Sequence, residues 1–578
     1  MIKTICSRVK ASRKQIITLL LCVLLAAIGE MLLPSFLAVM INKGVAQSEN
    51  QMIYVTMVVM IGITIMSGLV DFFSVKISAR IATDFAARLR EETFTRVQAF
   101  SAKELDHFGT ASLVTRSTSD ITNVQNFLTL LLRVGILAPI MAVAGLFFSA
   151  VTGGKISFVL LLAIPVLLLV LGLIVSVASH FTVRLRKDLD RMNKLFLESL
   201  EGVRVIRAFN KQRKENVRFE QANSTYTQTA MRTGRINSAV LPSVNVVFGM
   251  TMVGVLAVGA RYVAEGSMEV GYLVANGEYI SMVLMSVMML SMVIMMFPNA
   301  YACAKRIAEV LEMEISIEDG DGAFEQRPLR ATVEFQHVSF TYPGASEPIL
   351  RDVSFKVESG QTVAIVGGTG RGKSTILKLM LRFYDPTEGR ILVDGLDARA
   401  YPVDVLHGLF GYVPQRNTLF SGDIGTNLNY GKPDGEAWEW REAAEIACAD
   451  EFINQQEAGY HHHVAQNGTN LSGGQRQRLA IARAIMKKPE IYVFDDSFSA
   501  LDVKTDQRLR ANLKNKIKDA TFIMVAQRLS TIMEADQILV VDDGQIVGAG
   551  THAQLLHGCS LYREIAAIQL GEEVPCHG

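Results

Sequence analysis

Gly367-Gly368-Thr369-Gly370-Arg371-Gly372-Lys373-Ser374-Thr375 follows the apolar run Thr362–Val366 and precedes a stretch of helical periodicity. A buried strand, a glycine-rich turn and a helix in that order let backbone N–H groups converge on phosphate oxygens. The helix adds its positive end. Lys373 is placed to reach the β- and γ-phosphates of a nucleotide, and Ser374 to ligate Mg²⁺. A chance glycine-rich turn does not account for so complete a match, so an α/β nucleotide-binding domain is expected around it.

The rest of the chain is of another kind. It has 578 residues, half of them apolar, a mean hydropathy of +0.27 and a formal net charge of +1. That length calls for two or more domains. Charge near zero gives no reason to expect nucleic acid as a partner. The apolar excess lies in the first 300 residues. Six stretches there meet the roughly 20 apolar residues a bilayer crossing needs: Ile16–Met40, Ile53–Phe72, Phe127–Ala150, Ile156–Ala178, Val240–Val263 and Tyr272–Phe297. The basic start (Lys3, Arg8, Lys10, Arg13, Lys14) runs into the first of them without a cleavage signal, so that helix is expected to be retained. The six cysteines (Cys6, Cys22, Cys303, Cys448, Cys559, Cys576) lack paired spacing and read as free thiols facing a reducing cytosol or lipid.

Lysine and arginine set the orientation. Arg80, Arg88, Arg90, Arg96 and Arg116 lie between spans two and three; Arg184, Arg186, Lys187, Arg204, Arg213 and Arg218 lie between spans four and five. The other connections are short and carry little positive charge (Lys43, Lys155, Arg261). The positive-inside rule places both long segments and both termini in the cytoplasm. Within those segments, Ala79–Phe100 and Lys187–Phe209 repeat apolar residues at helical spacing. Spans two to five are therefore expected to run on as helices beyond the membrane and to turn back at tips, one at Phe108–Gly109 and one around Ala208–Lys214. Such tips suit contact with a soluble domain.

After Phe297 the pattern changes. Asp319-Gly320-Asp321-Gly322 reads as a linker. Short β-rich runs follow (Thr332–Phe335, Val353–Val357, Thr362–Val366, Ile491–Phe494, Thr521–Val525), alternating with helical stretches, as in a mostly parallel sheet. Asp495 ends one such run, where a carboxylate can hold Mg²⁺ directly or through water. Leu471-Ser472-Gly473-Gly474-Gln475 opens a helix whose exposed donors suit a γ-phosphate. On its own that word also fits an ordinary N-cap. The expected organisation is a transmembrane domain over 1–313, a linker over 314–330, a nucleotide-binding domain over 331–569 and a tail over 570–578.

With these motifs in this order, the chain resembles a half-transporter of the ATP-binding cassette exporter family over nearly its whole length. The resemblance implies an all-α six-helix exporter-type transmembrane domain followed by an α/β P-loop cassette that binds ATP and Mg²⁺. It also implies ATP hydrolysis coupled to transport, and localisation as a multi-pass protein of the cell membrane with a cytoplasmic cassette. Tyr342 matches the aromatic residue that stacks on adenine, and Gly367 to Thr375 match the P-loop. Gln415 matches the glutamine that senses Mg²⁺ and the attacking water, and Asp495 the metal aspartate. Leu471 to Gln475 match the signature; Ser499, Ala500, Leu501 and Asp502 match the loop that bridges two cassettes. Two cassettes are then expected to clasp two ATP molecules head to tail, each between the P-loop of one chain and the signature of the other.

Two positions depart from the family pattern. Where a glutamate usually positions or deprotonates the attacking water, this chain has Asp496. The aspartate carboxylate lies one C–C bond, about 1.5 Å, further back. Where a histidine is usual, the chain has Gln527, which donates a hydrogen bond but cannot become cationic. Together these predict a site that binds ATP and hydrolyses it slowly. The signature is intact and serves the opposite site, so a heterodimer with a second half-transporter carrying glutamate and histidine is expected, with a slow homodimer as the alternative. Gln466 stands where the family often has a glutamate. Nearby His461–His463 reads as a solvated loop rather than a metal site, because no cysteine or carboxylate cluster accompanies it.

For the transport path, Met282, Met285, Met289, Met292 and Met296 recur at three-four spacing in the sixth span. Such a face accepts varied apolar ligands; helix packing is the competing reading. Glu30 lies within the first span, where a carboxylate is costly and usually functional. Glu278 is nearer the outer end, and Arg133 is expected near the inner surface. Alternating access with efflux of hydrophobic or amphipathic small molecules is the expected function. A lipid, peptide or metal-chelate carrier and a nucleotide-gated regulatory subunit are the alternatives. A peptidase-linked exporter is disfavoured, since no extra domain is expected before Ile16.

Overall fold

The structure, a computed structural model, describes Arg8, residues 12–320 and residues 331–570. Lys3, Lys10, Cys6, Cys576, the Asp321–Gly322 part of the linker and residues 571–578 lie outside the described residues.

The chain divides into two units, one of Met1–Gln98 and Ala111–Glu312, the other of Ala99–Thr110 and Met313–Gly578. The first unit is helical: α1 (Arg13–Val39, prolonged by a π-turn over Met40–Val45), α2 (Asn50–Gln98), α4 (Thr110–Ser117), α5 (Ser119–Gly153), α6 (Ser157–Glu201), α7 (Val203–Ala208), α8 (Gln212–Ser238), α9 (Val240–Ala264) and α10 (Val270–Glu312), with α3 (Ala102–Phe108) belonging to the second unit. Ser12 starts α1 as an N-cap, accepting from Gln15 N at 3.2 Å while its own N–H donates to Gln15 Oε1 at 3.0 Å. Among the described residues six helical stretches are long and apolar enough to cross a membrane, Arg13–Val45, Asn50–Gln98, Thr110–Gly153, Ser157–Glu201, Gln212–Ala264 and Val270–Glu312, and each coincides with one expected span, the fourth starting one residue after Ile156. The 49-residue α2 is about 74 Å long at 1.5 Å per residue, more than twice a hydrocarbon core of about 30 Å.

The helical extensions therefore exist, and both tips are built as short helices. α2 stops at Gln98, and α3 closes at Gly109, whose φ of +73° favours glycine. The second tip is α7, set off by Gly202 before it and Phe209–Lys211 after it. At the far end of α10, Asp120 of α5, 2% exposed, accepts both Arg306 Nε (2.7 Å) and Arg306 Nη2 (2.5 Å). Arg116 pairs with Glu309 at 2.8 Å. Within the spans, buried Asn276 is fully engaged: its Oδ1 accepts from Ser149 Oγ (2.8 Å) and its Nδ2 donates to Thr152 Oγ1 (3.1 Å) and Tyr272 O (2.9 Å). An amide in hydrocarbon is tolerated only with such partners.

The second unit has two main sheets. β1 (Val333–Phe340), β2 (Leu350–Val357), β4 (Glu388–Val393) and β5 (Leu396–Asp397) form an antiparallel sheet in the order β2-β1-β4-β5. β3 (Thr362–Gly367), β6 (Phe410–Val413), β9 (Ile491–Asp495), β10 (Thr521–Val525), β11 (Gln537–Asp542) and β12 (Gln545–Gly550) form the other, ordered β12-β11-β3-β10-β9-β6. This second sheet is parallel except for the β11–β12 hairpin, matching the expected parallel sheet. The antiparallel sheet was not foreseen, because β1 pairs with β4 about sixty residues further on (Val333 with Val393) and no local pattern announces that partner. β7 (Gly422–Asp423) and β8 (His463–Val464) make a separate two-residue ladder.

β9 and β10 are buried at every position, as strands covered on both faces must be. The tip helix α3 packs in this unit. Ala102 lies against the core that contains Phe340 and Tyr384, Tyr384 Oη donates to Asp106 Oδ2 at 2.5 Å, and Ser316 N donates to Glu104 Oε1 at 3.3 Å.

Candidate nucleotide site

β3 delivers the glycine loop between its parallel neighbours β10 and β11, and α11 (Lys373–Met380) leaves it. Gly372 has φ +98°, a left-handed backbone that favours glycine. Lys373, 9% exposed, folds back over the loop, with Nζ donating to Gly367 O (2.9 Å) and Gly368 O (2.6 Å). Burial pushes its ammonium down, against the pull of Asp496 and Asp495. Ser374 Oγ donates to Asp495 Oδ1 at 2.9 Å. Burial pushes the Asp495 carboxyl up, the Ser374 bond opposes it, and Asp496 raises it further. Ser374 hydroxyl, Asp495 carboxylate and Gln415 amide are all oxygen donors of the kind Mg²⁺ prefers. The residues therefore fit the ion, which when bound would neutralise phosphate charge. Arg371 is turned elsewhere, pairing with Asp542 and Asp543 at 3.3 Å each. Thr369 is exposed.

Tyr342 stands beside the loop. Its hydroxyl is 3.1 Å from Thr375 Oγ1, its ring meets Phe340 and Tyr384 edge-on at 4.9 and 5.4 Å, and Lys378 Nζ lies 5.6 Å from its centroid.

Asp496 follows Asp495 with a left-handed backbone, φ +51°. Aspartate tolerates that region better than longer side chains, and such strain gathers at functional sites. Its Oδ2 accepts from Gln527 Nε2 at 2.8 Å and from Gln415 Nε2 at 3.4 Å. Burial pushes the carboxyl up, and the Gln415 bond and Lys373 draw it back. The three residues named from the sequence thus meet at one carboxylate oxygen. Two neighbours escaped sequence reasoning. Gln569 holds the Gln527 backbone, donating to Gln527 O at 2.8 Å, and Arg528 donates to Ser499 O (3.3 Å) and Leu501 O (3.5 Å). Arg528 adjoins Gln527 and was within reach of a motif reading; Gln569 lies 42 residues on, with no local signal.

The signature opens α12 (Gly473–Met486), with Leu471 buried before it. Ser472 Oγ accepts from Gln475 N at 3.3 Å and Gln475 Oε1 accepts from Ser472 N at 2.8 Å, so both side chains form a capping box. Gly473 and Gly474 then present the helix N-terminus; a Cβ on Gly473 would meet nothing within 4 Å. In the following loop Ser499 and Ala500 are exposed, Leu501 is buried, and Asp502 caps α13 (Val503–Lys516) by accepting from Thr505 N at 2.9 Å.

Residues 16–303 match the ABC transporter transmembrane region, and residues 350–499 match the ABC transporter family. An uncharacterized ABC transporter ATP-binding protein of Mycobacterium tuberculosis is 38% identical over 568 residues, covering 97% of each chain. The chain belongs to the ABC transporter family. A probable multidrug resistance ABC transporter ATP-binding/permease protein of Bacillus subtilis is 34% identical over 460 residues, covering 79% of this chain and 78% of that one. Among solved structures, a bacterial Atm1-family ABC exporter with ATP bound superposes with a TM-score of 0.82 at 28% identity, covering 97% of this chain and 99% of that one. The protein is thus an ABC exporter half-transporter: six apolar helices, then an ATP-binding cassette, as in a multi-pass membrane exporter.

The transport candidates of this ABC exporter lie in the helical unit. Met285, Met289, Met292 and Met296 are exposed on α10, whereas Met282 is half-buried against the cluster of Ala27, Met31 and Tyr279. Glu30 is exposed on α1, and Arg133 pairs with Asp71 at 3.2 Å. Glu278, less prominent in the sequence, falls on the same exposed stripe as the methionines. His461 pairs with Asp423 at 3.2 Å, and among the described residues no group of three or more His, Cys, Asp or Glu is placed to hold a metal. Gln466 starts a short 3-10 turn.

Proposed function

We propose that this half-transporter drives ATP-dependent efflux of hydrophobic or amphipathic small molecules by alternating access, as the slow-site subunit of a heterodimer. The observation that carries the reading is the Asp496 carboxylate held by Gln527 at 2.8 Å. A general base must reach the proton it takes within hydrogen-bond distance. A short aspartate with one oxygen committed to an amide is poorly disposed for that task. Gln527 also brings no positive charge to a γ-phosphate. The signature keeps its glycines free, which suits a partner chain whose own P-loop and glutamate complete the competent site. Mg²⁺ would be held by Ser374, Asp495 and Gln415, and ATP by the P-loop and Tyr342. The exposed methionines of α10 support an apolar cargo, as does the description of the Bacillus subtilis relative. A lipid, peptide or metal-chelate cargo remains the second reading of the same path.

The test is steady-state ATP turnover of the purified chain alone and with its partner half-transporter. Slow turnover alone and brisk turnover in the mixed assembly are expected. Brisk turnover by the chain paired only with itself overturns the proposal.

Coupling is expected to run through α3. Tyr384 touches both the Tyr342 platform and Asp106. Tyr384→Phe keeps the ring and removes the donor. It is expected to leave nucleotide affinity within about twofold and to lower substrate-stimulated turnover several-fold, since a hydrogen bond to a charged group is worth about 1.5–3 kcal/mol before water at exposed Asp106 offsets part of it. Equal stimulation in both proteins would remove Tyr384 from the coupling route.

A further inference from the structure

α6 and the junction of α8 with α9 leave between them a cleft of about 390 Å³, lined by Leu173, Ile174 and Val177 on one side and by Arg235, Ile236 and Ala239 on the other. Its depth follows from the chain. Val177 is in the last turn of the fourth apolar stretch and Ala239 directly precedes the fifth, so the cleft lies at the cytoplasmic membrane boundary. The cleft is open along one side and its lining is apolar except for Arg235, the sole charged or polar side chain in it, so filling it removes apolar surface from water. An apolar occupant is therefore favoured.

The charge at the mouth identifies its other end. Arg235 is exposed, as is Arg232 one turn earlier on α8, and among the described residues neither is in an ion pair. Further along α6, Arg184, Arg186 and Lys187 add positive charge, while Asp188 is engaged by Thr229 Oγ1 at 2.7 Å. A basic pocket between membrane helices on the cytoplasmic side attracts anionic headgroups. We infer that this cleft is a lipid site, holding an acyl chain of an anionic phospholipid from the cytoplasmic leaflet with its phosphate against Arg235. The inference does not depend on the efflux reading.

The test uses the full chain in nanodiscs containing phosphatidylglycerol and phosphatidylcholine, with tightly bound lipid counted by native mass spectrometry. Wild type is expected to retain phosphatidylglycerol several-fold over its share of the bilayer. Arg235→Ala is expected to lose that preference and Arg235→Lys to keep part of it. Ala239→Trp, which fills the cleft and leaves the arginine, is expected to lose the bound lipid. Nucleotide binding by each variant checks that it is folded. Equal enrichment in wild type, Arg235→Ala and Ala239→Trp would overturn the site. So would a wild type without enrichment whose Val177→Cys variant is shielded from a membrane-dissolved thiol reagent, because a protein surface would then cover the cleft.

Discussion

Changing Asp496 to Glu together with Gln527 to His is expected to raise ATP hydrolysis by the isolated protein about 10²-fold, the lower end of what a positioned general base contributes. The gain should appear in kcat, with little change in KM, because neither residue belongs to the P-loop that grips the phosphates. The added methylene advances the carboxylate by about 1.5 Å. The histidine removes the amide that occupies Asp496 Oδ2 at 2.8 Å. The double change should exceed the sum of the single ones. With Gln527 in place the longer acid still has a donor drawing it back, and residues acting as one unit are not additive. Glutamate at this left-handed position costs some stability, since φ is +51°. A thermal melt with nucleotide separates that cost from the catalytic gain. A double variant no faster than wild type would show that something other than these two side chains limits the site.

Gly473→Asp in the mixed assembly is expected to cut turnover by about 10²–10³-fold, comparable to removing a donor aimed at developing charge. The substitution leaves the fold intact, because a Cβ at Gly473 meets nothing within 4 Å. Negative charge at the start of a 14-residue helix also favours the helix itself. What the carboxylate opposes is an incoming phosphate, through repulsion and loss of the bare helix terminus. Nucleotide binding at this chain's own P-loop should stay unchanged. Lys373→Ala reverses the pattern: binding at this P-loop is lost, while turnover of the mixed assembly falls less than with Gly473→Asp. Measuring both variants by nucleotide binding and by turnover decides the matter. Equal losses of turnover would mean that the two composite sites are equivalent.

The membrane part was legible because its signals are local. An apolar run of bilayer length, flanked by asymmetric lysines and arginines, needs no knowledge of neighbours. The helical extensions were legible for the same reason, through their periodicity. The nucleotide loop was legible because Gly372 and its companions are forced by backbone geometry. What escaped was long-range. The antiparallel sheet rests on the pairing of Val333 with Val393, and the brace on Gln527 comes from Gln569. Arg371 was expected in the nucleotide loop from its place in the motif, but the direction of its guanidinium, turned to Asp542 and Asp543 some 170 residues away in the chain, had no local signal. Of the methionine stripe, Met282 turned inward because the helices around Tyr279 close over it.

The sequence by itself determined the motifs this exporter carries and that it crosses a membrane, since side-chain type, period and glycine placement act over a few residues. Only the tertiary structure decided that Asp496, Gln415 and Gln527 share one oxygen, and that tip helix α3 reaches the cassette core through Asp106 and Tyr384. Those facts depend on strands and helices distant in sequence being packed together, and packing is settled by the whole core rather than by any segment of it.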